Sequence, residues 1–136
     1  MENDTRDDLF ALMRRPDTTV AVVGATDDPA KFGGRIYRDL KAKGFTVFPV
    51  NPGRDTVDGD PAFPSLSDLP ATPTIVNLVV PPAAGATVLE ECRRLGLTRV
   101  WLQPGAESPS LIDYLDREGF QYLAGACIMV ESDRVA

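Results

Sequence analysis

One local pattern occurs three times in the chain: a helical segment ends at a glycine, and a β-rich run begins at the next residue. The three copies read LKAKG-FTVFPV, CRRLG-LTRVWL and YLDREG-FQYL, with glycines at Gly44, Gly96 and Gly119. Glycine supplies the left-handed conformation that commonly ends a helix. The strands that follow are continuous apolar runs, which is typical of a parallel sheet covered by helices on both faces.

The repeated helix-to-strand step predicts an α/β fold: a Rossmann-like, three-layer, doubly wound parallel sheet of about five strands, with an added N-terminal helix. The length of 136 residues fits a single domain over 1–136, of which 1–17 form the helical extension. Segment 52–73 is too polar for a full crossover helix, so we expect one short helical turn at 65–69. The predicted strands lie near 19–24, 45–50, 75–80, 99–102 and 121–123, and the predicted helices near 6–14, 33–43, 83–95 and 109–118.

Composition excludes several classes of function. The net charge of −6 argues against a general nucleic-acid or anionic-membrane surface, because both partners would be repelled. Two cysteines, Cys92 and Cys127, and no histidine leave neither a zinc site nor a disulfide framework, so we expect no metal and two reduced thiols. The N-terminus is charged where a secretory signal is apolar, so we expect a cytoplasmic protein.

Residues 20–35 read VAVVGATDDPAKFGGR, an apolar run that ends at Gly24, a polar loop, and a helix that opens at Gly33-Gly34. Loop amides, the unpaired donors of the first helical turn and the helix dipole together stabilise a phosphate. Adjacent glycines at a helix start cost conformational entropy, and we assign that cost to ligand binding. We therefore expect Gly34→Asp to abolish nucleotide binding and to leave thermal unfolding nearly unchanged.

The type of nucleotide stays open at this point. A dinucleotide fingerprint needs G-x-G-x-x-G and an acidic residue at the end of the second strand, and neither is present. The second predicted strand instead ends in Val50-Asn51-Pro52, with Arg54 close behind. An arginine there suits a ribose that carries a phosphate, which NADP and coenzyme A (CoA) both have.

Five ordered motifs resemble one known family, the small stand-alone bacterial CoA-binding domain proteins often called YccU-like. More distantly they are similar to the CoA-binding domain at the start of the succinyl-CoA synthetase alpha subunit. The resemblance covers about residues 18–132 and implies a Rossmann-like fold that holds CoA across the carboxyl ends of its strands. The motifs are VAVVGATDDPAKFGGRIYRDL, FTVFPVNP, NLVVPP, VWLQPGAES and ACIMVE.

The resemblance also implies which residues bind the cofactor. All of them fall at the carboxyl ends of predicted strands or at the start of the following helix, where open α/β sheets bind ligands. They are Gly24, Ala25 and Thr26 at the first turn, Lys31, Phe32, Gly33, Gly34 and Arg35 at the helix start, Asn51 and Pro52 beside the adenosine, and Val80, Pro81, Pro82, Gln103, Pro104 and Gly105 beside the pantetheine.

Several of these residues also have a purely structural interpretation. The Thr26 hydroxyl can satisfy its own loop backbone, and Pro81-Pro82 and Gln103-Pro104-Gly105 can simply be turns. Trp101 is expected to be buried. We interpret Lys41 and Lys43 as exposed residues that complement the C-terminus of their helix.

Catalysis is not expected. No histidine or Gly-x-Ser-x-Gly motif is present, Asp27 and Asp28 are interpreted as turn residues facing water, and Cys127 lies in an apolar run. The sequence therefore predicts a module that binds CoA or acyl-CoA without chemistry of its own. Two alternatives stay open: an NAD(P)-binding oxidoreductase, and a regulatory subunit of an acyl-CoA-handling enzyme. A protein partner or a homodimer is compatible with either.

Overall fold

The computed structural model describes residues 5–135, with side chains for 8–133. The five sheet strands alternate with helical segments, close to the predicted positions. The strands are β1 (Thr19–Val23), β2 (Thr46–Val50), β3 (Thr56–Val57), β4 (Asp60–Pro61), β5 (Ile75–Leu78), β6 (Arg99–Leu102) and β7 (Gln121–Ala124). The helices are α1 (Thr5–Met13), α2 (Phe32–Ala42), α3 (Pro82–Leu95), α4 (Pro109–Arg117) and α5 (Ile128–Val135), with a 3-10 turn at Leu66–Asp68.

Five parallel strands form one sheet in the order β2-β1-β5-β6-β7. Strand β1 lies between β2 and β5, so the chain builds the sheet outward first on one side of β1 and then on the other. The carboxyl ends of β1 and β5 therefore flank the topological switch point, where open α/β sheets leave a crevice. The fold is Rossmann-like, as predicted.

Each face of the sheet is covered by helices. Alternate strand residues point to opposite faces, and one face packs against α3 and α4 while the other packs against α1, α2 and α5. Trp101 is fully buried on the second face and donates its indole N–H to the Ala126 carbonyl at 2.9 Å, which confirms its predicted burial. Ser108 caps the start of α4, because its hydroxyl accepts from the Leu111 amide at 3.2 Å.

The connection from β2 to β5 contains more structure than expected. The predicted short turn is present at Leu66–Asp68, but the antiparallel pair β3 and β4 was not predicted. After this hairpin, Phe63 runs beside the edge of β2: its amide donates to the Pro49 carbonyl at 3.0 Å, and its carbonyl accepts from the Asn51 amide at 2.9 Å. The connection therefore extends the sheet at the level of the crevice.

Helix α5 was not predicted, and Lys43 explains its position. The Lys43 ammonium contacts the Asp39 carboxylate at 2.7 Å on its own helix, and reaches the Asp133 carboxylate at 2.6 Å and the Met129 carbonyl at 2.7 Å on α5. Its side chain is only 15% exposed. The interpretation of Lys43 as a solvated helix-end lysine was therefore wrong: it joins α2 to α5. Lys41, by contrast, is exposed and pairs with Asp58 and Asp60.

Candidate functional site

A cavity of about 850 Å³ opens at the switch point, a size typical of small-molecule sites. Its walls come from the carboxyl end of β1 and the following loop, the start of α2, and the end of β2. Residues 64–66, the end of β5 and one face of α3 complete it. We call this cavity the switch-point crevice.

The crevice brings together more than half of the sequence-predicted site residues. Those that line it are Gly24, Thr26, Lys31, Phe32, Gly33, Asn51, Pro52, Val80 and Pro81. Those that do not are Ala25, Gly34, Arg35, Pro82, Gln103, Pro104 and Gly105. Arg35 is close by, with its guanidinium carbon 5.3 Å from the centre of the Phe32 ring.

Glycines shape the crevice at the start of α2 by allowing backbones to approach closely. Gly24 turns the chain out of β1 with φ +103°, and a Cβ atom there would lie 2.6 Å from the Val79 carbonyl oxygen. A Cβ atom on Gly33 would lie 1.9 Å from the Gly24 carbonyl oxygen, and one on Gly34 would lie 2.1 Å from that of Thr26. The first turn of α2 therefore packs directly on the backbone of the preceding loop.

This packing corrects one expectation. The glycine pair at the start of α2 has a structural reason that does not involve a ligand, because any side chain at Gly34 meets the Thr26 backbone. Gly34→Asp must therefore disturb the fold, contrary to the expectation that unfolding would be nearly unchanged.

The N-terminus of α2 has no side-chain cap. Lys31 occupies the N-cap position without a side-chain hydrogen bond to the helix, and the first turn contains no acidic residue. The first amides of a helix have no partner within the helix, and their dipoles give this end a partial positive charge. With Lys31 and Gly33 in the crevice wall, this end is suited to an anion.

Thr26 and Arg54 connect the loop to the β3–β4 hairpin. The Thr26 hydroxyl accepts from the Asp28 amide at 3.2 Å, as the structural interpretation expected, and from Arg54 Nε at 2.9 Å. Arg54 also lies 3.4 Å from the Asp27 carboxylate, whose other oxygen accepts from the Asp58 amide at 2.8 Å. Arg54 is therefore engaged beside the loop and does not line the crevice. Asp27 is exposed, as expected, but it also anchors the hairpin.

Asn51 connects the ends of two neighbouring strands. Its side-chain N–H donates to the Ala25 carbonyl at 2.9 Å, and its side-chain oxygen accepts from the Gly53 amide at 2.8 Å. Asn51 thus holds the end of β2 against the loop that follows β1. Beside it, Val50 and Pro52 give the crevice an apolar wall.

The face of α3 in the crevice was missed by the sequence analysis. Its members are Ala84, Thr87, Val88, Glu91 and Arg94. Their spacing of three and four residues places them on one side of the helix, and polar residues on that stripe were the available signal. Glu91 accepts from the Leu66 and Ser67 amides at 3.2 and 3.3 Å, so its carboxylate holds the 3-10 turn against α3.

Gln103 lies on the other side of the sheet from α3. Its side-chain oxygen accepts from the Ile128 amide at 2.7 Å, and its side-chain nitrogen lies 3.4 Å from the Cys127 sulfur. The Ala106 amide donates back to the Gln103 carbonyl at 2.8 Å across the turn at Pro104-Gly105. In the structure, Gln103 therefore caps α5, and the residues after it form a turn outside the crevice.

The two cysteines differ in environment. Cys92 is buried, and burial raises the pKa of its thiol to about 12, with a smaller contribution from the Glu91 charge. Cys127 is partly exposed just before α5. Within the described residues, no three His, Cys, Asp or Glu side chains group as metal ligands, and no helix is long and apolar enough to cross a membrane.

A doubly wound parallel sheet with a glycine turn and an uncapped helix start at its switch point defines the class of Rossmann-like domains. Within that class, the model of the family described as CoA binding domain matches residues 18–133. The chain belongs to this family.

Solved structures and curated proteins include clear relatives. A conserved hypothetical protein from Pyrococcus furiosus is 42% identical, with a TM-score of 0.81 over 84% of this chain and 98% of that one. The Thermus thermophilus protein called cell-free ID.343 is 34% identical, with a TM-score of 0.84 over 99% of this chain and 100% of that one. The alpha subunit of ADP-forming acetate–CoA ligase II from Pyrococcus furiosus is 27% identical over 80% of this chain, which spans only 26% of that subunit.

Proposed function

We propose that this chain binds CoA or an acyl-CoA in the switch-point crevice and has no catalytic activity of its own. One observation carries the proposal: the uncapped start of α2 meets the Gly24 turn inside a cavity large enough for a nucleotide. Membership of the CoA binding domain family favours CoA over other nucleotides. The relative named as an acetate–CoA ligase subunit is consistent with this choice.

The crevice offers a different environment to each part of the cofactor. In our proposal the pyrophosphate binds at the first turn of α2, where main-chain amides and Lys31 supply donors and positive charge. The adenosine lies against the apolar wall at Val50 and Pro52. The pantetheine leaves past Val80 and Pro81 along the carboxyl ends of the strands.

The lining residues support binding rather than catalysis. The charged side chains in the wall are Lys31, Glu91 and Arg94, and the Glu91 carboxylate is engaged with the 3-10 turn. Neither cysteine lines the crevice. The proposed role is to hold the cofactor for another protein, and the relative named as an acetate–CoA ligase subunit is consistent with this role.

Isothermal titration tests the proposal with CoA, acetyl-CoA, NADH and NADPH as ligands. We expect CoA or acetyl-CoA to bind, and Lys31→Gln to weaken binding because it removes a charge from the anion end of the crevice. Arg117→Gln is the matched control, since it removes one exposed charge on α4 outside the crevice. Binding of NADH or NADPH with no heat from either CoA ligand would refute the proposal. An absorbance change of bound NADPH with a carbonyl substrate would favour the oxidoreductase alternative.

A further inference from the structure

Segment 64–73 forms one wall of the crevice and has few hydrogen bonds to the rest of the domain. It follows Phe63, which pairs with the edge of β2, and it ends before Thr74, whose amide donates to the Thr19 carbonyl at 2.9 Å. Three of its ten residues are prolines, which have no backbone N–H to donate. We call residues 64–73 the cover segment. Its members that line the crevice are Pro64, Ser65 and Leu66.

One carboxylate receives every hydrogen bond that leaves the cover segment within the described residues. Glu91 on α3 accepts from the Leu66 amide at 3.2 Å, from the Ser67 amide at 3.3 Å and from the Ser67 hydroxyl at 3.0 Å. The remaining hydrogen bonds of the segment join its own residues, such as the Ser65 hydroxyl and the Asp68 carboxylate at 2.8 Å. The polar attachment of the segment therefore depends on a single side chain, which acts together with the packing of the buried Leu66.

Glu91 takes the place of a cap for the 3-10 turn. The first amides of a helical turn have no partner within it. Ser65 occupies the N-cap position, but its side chain makes no capping hydrogen bond. The Glu91 carboxylate supplies the missing acceptors from 25 residues further along the chain, and a charged acceptor forms stronger bonds than a neutral one. Loss of this carboxylate would leave two amides of the crevice wall without their partner.

We propose that Glu91 is a positioning residue that holds the cover segment closed, that the segment opens locally when this contact breaks, and that CoA binds the closed form. The inference rests on the proposed function, because CoA is the ligand proposed for the crevice. A segment with few hydrogen bonds to its surroundings opens at a lower free energy than the core. Leu66 lines the crevice and lies on the turn that Glu91 holds, so the wall is complete only in the closed form. The apparent affinity for CoA then falls with the fraction of closed protein.

Hydrogen exchange of the free protein tests this role of Glu91 without any ligand. We expect Glu91→Gln to speed exchange at the Leu66 and Ser67 amides by about tenfold or more, because only one neutral acceptor remains. Glu90→Gln is the matched control, since Glu90 is the adjacent carboxylate on α3, is exposed and lies outside the crevice. It should leave both amides at their wild-type rates. The amides of β6 are the internal reference for global unfolding.

Ser67→Ala tests the same contact from the cover segment. It removes one of the three hydrogen bonds to Glu91, so exchange at the Leu66 amide should rise less than in Glu91→Gln. The double variant should exchange within about twofold of Glu91→Gln alone, because the hydroxyl bond requires the carboxylate. Independent, additive effects of the two substitutions would contradict a shared contact.

Isothermal titration with CoA tests the link to binding. We expect Glu91→Gln to weaken CoA by about threefold or more, and Glu90→Gln to stay within about 1.5-fold of the wild type. Saturating CoA should slow exchange at Leu66 and Ser67 in the wild type by about tenfold or more, since a ligand of the closed form suppresses opening. A purely structural role of Glu91 predicts neither of these ligand effects.

The outcomes separate this inference from the proposed function. Unchanged exchange at Leu66 and Ser67 in Glu91→Gln overturns the inference, and so does an increase shared equally by β6 or by Glu90→Gln. Faster exchange in Glu91→Gln with unchanged CoA affinity overturns the link to binding and leaves CoA binding intact. Failure of the wild type to bind CoA refutes the proposed function and the link to binding together, while the exchange rates of the free protein still decide whether Glu91 holds the cover segment.

Discussion

The carbonyl oxygen of Gly24 lies where a Cβ atom on Gly33 would have to be, at a separation of 1.9 Å. Gly24 ends β1 and Gly33 lies in the first turn of α2, so this contact sets how closely the helix approaches the strand end. The approach places the α2 amides at the crevice wall. One contact between two glycines thus links the packing of the domain to the geometry of its candidate anion site.

Gly33→Ala is expected to destabilise the protein by about 2 kcal/mol or more, because the backbone must shift to admit the methyl group. Chemical denaturation measures the free energy of unfolding. Gly85→Ala is the control: Gly85 is buried in α3, but its Cβ would lie 3.5 Å from Leu111, an ordinary contact. That variant should be neutral or more stable by up to about 1 kcal/mol, since alanine favours a helix. Equal stability of the two variants would contradict the packing role of Gly33.

Gly34→Asp is expected to lower both stability and CoA affinity, and not affinity alone. A Cβ atom at Gly34 meets the Thr26 carbonyl oxygen at 2.1 Å, and the added carboxylate repels an anion at the helix start. Thermal unfolding and titration with CoA, done on the same preparation, check this. An unchanged unfolding temperature would show that the loop adjusts without cost.

Local signals in the sequence are sufficient to predict most of the fold. The strands are continuous apolar runs, and Gly44, Gly96 and Gly119 all have positive φ angles at the helix ends where they were expected. The same reasoning predicts where β1 and β2 end and points to Gly24 and Gly33, which line the crevice. Asn51 and Pro52, which also line it, were assigned to the site through the family resemblance.

The parts that were missed depend on contacts between distant residues. Strands β3 and β4 have two residues each, and the Asp27 side chain holds them to the first loop. Helix α5 is held in place by Lys43. The face of α3 lines the crevice because Glu91 holds the 3-10 turn opposite this helix. Periodicity cannot reveal such partners, because each lies more than twenty residues away in the chain.

Lys43→Met is expected to destabilise the protein by about 1–3 kcal/mol, because it leaves polar groups of α2 and α5 without their shared donor. Lys41→Met is the matched control on the same helix. Its side chain is 41% exposed, so its ion pairs with Asp58 and Asp60 should matter less. A larger loss in Lys41→Met would contradict the role assigned to Lys43.

The contribution of Lys43 to the free energy of unfolding should also depend on pH, and it should decrease at high pH. Burial alone would lower its pKa, but hydrogen bonds to the Asp133 and Asp39 carboxylates outweigh burial and raise the pKa above the ordinary 10.5. A lysine whose pKa is higher in the folded state than in the unfolded state stabilises the fold fully at pH values below its unfolded pKa. This contribution to stability is lost as the pH rises through the folded-state pKa. The difference in unfolding free energy between wild type and Lys43→Met should therefore be constant from neutral pH to about 9 and shrink above about 10.5. Shrinkage already between pH 7 and 9 would contradict this.

The two thiols should react at very different rates with an aromatic disulfide reagent at pH 8. Cys127 is partly exposed, whereas Cys92 is 0% exposed and burial raises its pKa to about 12, so little thiolate forms. The native protein should release one equivalent of chromophore quickly, and a second only in denaturant. Cys127→Ser should abolish the fast phase. The Cys92 thiol ionises more readily in the unfolded chain than in the fold, because burial raises its pKa above the usual value of 9.0. Ionisation of Cys92 therefore lowers the free energy of unfolding as the pH rises above 9.0.

Phe32→Ala is expected to weaken CoA binding about two- to tenfold and to change the unfolding free energy by less than about 0.5 kcal/mol. Phe32 is the first residue of α2, lines the crevice and is 58% exposed, so the fold gains little from its ring while a bound nucleotide can pack against it. Val130→Ala is the control, since Val130 is 52% exposed on α5 and lies outside the crevice. Titration and denaturation of both variants check the prediction. If Phe32→Ala loses stability but keeps its affinity, the ring supports the helix start and not the ligand.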